Sequence, residues 1–128
     1  DFVYRAVRDR SLTLFEPHFR RNYLHVRDAA RVFEFAIERA SEMSGKAFNA
    51  GLSSANLSKH QLCEKIREHL SNFTWSVAPI GKDPDQRDYL VSNARLEALG
   101  WRPMYPLDVG IEELARAFSS MPFEGYRN

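Results

Sequence analysis

The stretch FRRNYLHVRDAARVFEFAI, residues 19–37, decides how this chain is read. Two adjacent arginines, Arg20 and Arg21, run into NYLHV (22–26), where Leu24 and Val26 alternate with His25, which predicts a strand. His25 sits between Leu24 and Val26, the pattern of a hydrogen-bonded, half-buried histidine rather than of a general base. Asp28 is suited to cap a helix, because its carboxylate can accept an N–H of the first turn. Ala29, Phe33, Ala36, Ile37 and Ala40 follow at i, i+4, i+7, i+8 and i+11, which predicts an amphipathic helix. The question this stretch raises is what two positive charges do at the mouth of a strand.

Reading outward, DFVYRAVRD (1–9) has the look of a helix already under way, with Phe2, Val3, Ala6 and Val7 on one side. A start of this kind, apolar and without methionine, leads us to expect a piece of a longer protein. SLTLF (11–15) predicts a strand that Pro17 stops, since proline has no N–H to give to a ladder. KAFNAG (46–51) predicts another, FTWSVAP (73–79) a fourth, and YLVS (89–92) a short extended piece. LSKHQL (57–62) carries the strongest local signal. Ser58 followed by Gln61 is a capping box, with Leu57 placed to staple onto Leu62. Leu62, Cys63, Ile66 and Leu70 form the inner face of the helix that follows. Ser92 can cap a helix closed by Gly100, and Asp108 a last helix through Ile111, Leu114, Ala115 and Phe118. Residues 121–128 read as a tail. The expected class is α/β in the sense of mixed α and β. The strands are too short and scattered to predict one regular central sheet.

A chain of 128 residues makes one compact domain. Its 18 basic and 17 acidic residues argue against binding nucleic acid or a membrane surface by bulk charge. No apolar run approaches the ~20 residues of a membrane span. The single cysteine, Cys63, excludes an internal disulfide and suits a reducing cytoplasm; on an apolar helix face it reads as a small hydrophobe. The histidines at 18, 25, 60 and 69 lack metal-ligand spacing. There is no nucleophile elbow and no glycine-rich phosphate loop. What remains is Arg20, Arg21 and, in the polar loop 81–88, Arg87. Guanidinium matches phosphate oxygens in bidentate geometry. The residues alone leave two readings open: anion ligands at a cleft, or solvated arginines paired with Asp83, Asp85 or Asp88.

RNYLHVRDAA resembles the R-[DN]-[YF]-[IL]-H-V-x-D-[VA]-A segment of extended short-chain dehydrogenase/reductases, the NAD(P)-dependent nucleotide-sugar epimerases, dehydratases and reductases. SLTLF is similar to the strand before that segment, GKAFNAG to a G-x-x-[YF]-N-[VLA]-G strand, and NLSKHQLCEKI to the helix after it. DQRDYLVSNARLEALGWRP and PLDVGIEELARAF resemble the family's later segments, in the same order. The resemblance implies that residues 1–120 are the C-terminal, substrate-binding part of such an enzyme, which closes a nucleoside-diphosphate sugar against a Rossmann part absent from this chain. It implies that Arg21 and Arg87 face the diphosphate, and that Thr13 and Phe15 lie along the base. NAD or NADP would be bound outside these residues, and the parent would be a cytoplasmic homodimer with isomerase or oxidoreductase activity. The family's catalytic Tyr-x-x-x-Lys is missing here, so this chain alone is expected to be inactive. Arg95 stands where the family pattern has lysine. Beside that expectation stands a non-enzymatic α+β module that holds an anionic ligand or a protein partner through Arg20, Arg21 and Arg87. A third reading is a bare structural domain without a ligand.

Overall fold

The computed structural model describes residues 1–81 and 87–121. In chain order the elements are α1 (Phe2–Arg8), β1 (Ser11–Leu14), β2 (Arg20–Asn22), α2 (Val26–Glu38), α3 (Ala40–Met43), β3 (Asn56–Ser58), α4 (Lys59–His69), β4 (Thr74–Val77), α5 (Ala94–Ala98) and α6 (Leu107–Ser120). The class is mixed α/β. The described strands form two two-stranded sheets and no central one: β1 lies parallel to β4, with Leu14 opposite Val77, and β2 antiparallel to β3, with Arg21 opposite Leu57.

One core lies between the helices and β1. Val3 and Ala6 of α1, Leu14, Leu62, Cys63 and Ile66 of α4, Phe73 and Ile111 of α6 are buried together. Burying a side chain such as Phe73 completely contributes about 3 kcal/mol. Burial, with Glu64 nearby, pushes the Cys63 thiol up to about 12, so it is a packed hydrophobe at neutral pH. The capping box forms as expected: Ser58 Oγ accepts from Gln61 N at 3.1 Å, and Gln61 Oε1 from Ser58 N at 2.9 Å.

Several expectations are corrected. The strand expected at 22–26 lies at Arg20–Asn22 instead. Its pairing ends at Asn22–Asn56, because α2 begins at Val26 and His25 takes the cap position. His25 Nδ1 accepts the N–H of Arg27 at 3.1 Å. Asp28 is therefore not the cap but a first-turn residue turned inward. It is fully buried and accepts from Met104 N and Tyr105 N at 3.0 and 2.9 Å and from Arg31 at 2.6 Å. Residues 46–51 make no described ladder; their strand propensity has no neighbouring strand on which to express itself. Residues 89–92 are likewise unpaired as a strand, and β3 was not foreseen. Ser92 does not cap α5. Asn93 holds that position, with its amide donating to Ser53 Oγ at 3.2 Å rather than capping. Pro106, not Asp108, precedes α6; Asp108 in its first turn meets His69 Nε2 at 2.9 Å. The expected tail lies outside the described residues, apart from Met121, as do Asp83 and Asp85.

Candidate functional site

β2 is only three residues long, yet both of its arginines reach the 87–89 segment. The N–H of Arg20 donates to Asp88 Oδ1 at 2.8 Å. The Arg20 side chain closes on the same carboxylate in a fork, Nε to Oδ1 at 3.0 Å and Nη2 to Oδ2 at 3.1 Å. These hydrogen bonds from Arg20 hold the Asp88 carboxyl down at about 2. A bidentate pair of this kind fixes geometry as well as charge. Arg20 is thus a partner of Asp88.

Arg21 points along a second direction. Its guanidinium donates to the carbonyl of Arg20 at 2.8 Å and to the carbonyl of Arg87, and lies 5.3 Å from the centroid of the Tyr89 ring. Residues 21 and 87 are 66 positions apart in the chain. They meet because residues 87–92 cross β2 and β3 as a strap stitched by side chains. Asn56 acts as a surrogate strand: Oδ1 accepts from Val91 N at 2.9 Å and Nδ2 donates to Val91 O at 3.0 Å. Asn49 Nδ2 donates to Ser92 O at 3.1 Å.

Thr13 lies in β1 and Phe15 directly after it. Both line an open pocket with Leu12, Leu14, Arg5 and Lys59. That pocket is not lined by Arg21 or Arg87. Lys59 ties the Phe15 end of that pocket to Phe19, which immediately precedes β2. Its Nζ donates to Phe15 O at 2.9 Å, its N–H to Phe19 O at 3.1 Å, and its side chain is buried. The ammonium also lies 5.3 Å from the Phe19 ring centroid. Lys59 was missed in the sequence because it reads as an ordinary first-turn charge; its burial depends on contacts with Phe15 and Phe19, some forty positions away. Asn56 and Tyr89 gave no signal either, since their roles depend on the strap.

A deeper apolar groove of about 550 Å³ runs between α1 and α6, with Phe2, Leu24, Leu107 and Phe118 in its wall. His25 stands at its edge. Its Nδ1 accepts from Arg27 N at 3.1 Å, its Nε2 lies 3.3 Å from Glu113 Oε2, and the ring stacks on Tyr105 at 4.6 Å. Arg27 holds the same Glu113 at 2.8 Å.

The described connections from strand to helix are not those of a Rossmann cradle. A pyrophosphate cradle needs a strand, a glycine-rich turn and a helix N-terminus in sequence. Here β2 reaches α2 through Tyr23–His25, and β3 runs directly into α4. Among the described residues no group of three histidine, cysteine or acidic side chains could hold a metal ion. No described helix is long and apolar enough to cross a membrane.

No family model matches the chain. Among solved structures the fold is similar to that of a GDP-D-glycero-L-gluco-heptose synthase from Campylobacter jejuni, crystallised in the presence of NADPH. The match has a TM-score of 0.63 at 15% identity and covers 91% of this chain and 35% of that protein. The chain therefore spans about a third of the neighbour's length.

Proposed function

We propose that this chain is the substrate-binding part of an NAD(P)-dependent nucleotide-sugar enzyme, and that it takes a nucleoside-diphosphate sugar by its diphosphate. The observation that carries the reading is the meeting of Arg21 with the Arg87 segment across β2. A guanidinium oriented by carbonyls and an aromatic ring is preorganised, so less entropy is lost when it binds an anion. The fold's likeness to a heptose synthase supports the same reading. In it, Arg21 and Arg87 grip the diphosphate, and Thr13 and Phe15 line the path of the base. NAD or NADP, held outside these residues, supplies the hydride chemistry. Epimerisation, dehydration and reduction are alike compatible with these residues, which bind and orient.

Calorimetric titration of the full-length protein with UDP, GDP and dTDP tests this. The expected result is saturable binding of at least one of them, weakened at least tenfold by Arg21→Ala and by Arg87→Ala. Binding that neither substitution changes, or no binding of any of the three, overturns the reading.

A further inference from the structure

The strap raises a question that the diphosphate reading does not answer: what keeps it on β2 when no ladder does? Two of its stitches, at Val91 and Ser92, come from asparagine side chains at its far end. At the near end, beside Arg87 and Tyr89, the carboxylate of Asp88 accepts three hydrogen bonds from one residue, Arg20. One of them comes from the main chain of β2 itself, so the clamp ties strap to strand and not merely side chain to side chain. Two of the three groups that orient Arg21, the Arg87 carbonyl and the Tyr89 ring, are the immediate neighbours of Asp88.

We propose that Asp88 is the positioning residue of the anion site: by clamping the strap to Arg20, it holds the Arg87 carbonyl and the Tyr89 ring where they aim the Arg21 guanidinium. This rests on the diphosphate reading and assigns adjacent arginines opposite tasks. Arg20 is the fastener, neutralised by its own carboxylate, and Arg21 is the ligand. Asp88 touches no substrate. It acts through Arg21, and its loss leaves the core untouched, because the clamp is on the surface, away from Phe73, Ile66 and Ile111.

The test uses the full-length protein with UDP, GDP and dTDP as probes. Asp88→Asn and Arg20→Ala should each weaken binding about tenfold while the circular dichroism spectrum and the thermal midpoint stay near wild type. The exchange Arg20→Asp with Asp88→Arg should recover a large part of the affinity. The Arg21 Nε–Hε resonance supplies a readout independent of ligand. It should sit away from the free-arginine position in the wild type, move toward it in Asp88→Asn, and return in the exchange variant. If wild type binds and Arg21→Ala abolishes binding, yet Asp88→Asn binds as wild type with the Arg21 resonance unmoved, the positioning role is wrong and the diphosphate reading survives. If wild type binds none of UDP, GDP and dTDP, both fall together.

Discussion

Asp28 is fully buried and ties the first turn of α2 to the main chain at Met104 and Tyr105. Burial alone would raise its carboxyl, but the N–H groups of Met104 and Tyr105 and the Arg31 guanidinium outweigh that and hold it below its ordinary value. A folded-state value below the unfolded one means that the stabilisation is complete above the ordinary carboxylate range. It is lost as pH falls through the depressed value. Asp28→Asn keeps the size but loses the charge and an acceptor, so it should lower unfolding stability by about 1–3 kcal/mol at pH 7, read from urea titration. The difference from wild type should shrink as the pH falls below about 4. Gly51 has a steric role. A Cβ there would meet Asn22 Oδ1 at 1.8 Å and Asn93 Oδ1 at 3.0 Å. Asn22 is itself tied to Leu52 O at 2.8 Å and cannot swing away freely. Gly51→Ala should therefore destabilise by about 1–3 kcal/mol in the same titration.

At the scale of elements, legibility in the sequence followed locality. The capping box of α4 is complete within four residues, and it was readable; Ser58→Ala should cost about 1 kcal/mol in thermal or urea unfolding. The apolar periodicities of α4 and α6 were readable for the same reason. What failed depends on distant partners. Residues 46–51 have a strand's composition and no described ladder, whereas Asn56–Ser58, with little strand character, pairs because β2 is beside it. Asp28 and Asp108 look like caps, yet both are committed to groups far along the chain, at Met104 and at His69. The site followed the same rule. Arginines before a strand can be seen in a sequence, but the strap that aims one of them rests on contacts 35 to 68 positions apart.

For the whole molecule, the notable surface is that of α2. Val26, Phe33 and Ile37 share one line along the helix and are 77, 73 and 77% exposed. A regular apolar stripe of this kind is suited to packing against another surface. Since nothing described covers it, Phe33→Glu with Ile37→Glu should leave unfolding stability within about 0.5 kcal/mol. Any concentration-dependent association seen by gel filtration should decrease. The topology carries a consequence of another kind. Gly45, exposed and at φ 71°, divides the described chain into two runs. β1 and β2 precede it, and their partners β4 and β3 follow it. α1 likewise lies before it and packs against α6 beyond it. Each run holds one half of both ribbons, like the two sides of a zipper. Neither has a finished sheet to fold around, and a backbone cut at Gly45 would leave a pair of fragments that need each other to keep their shape.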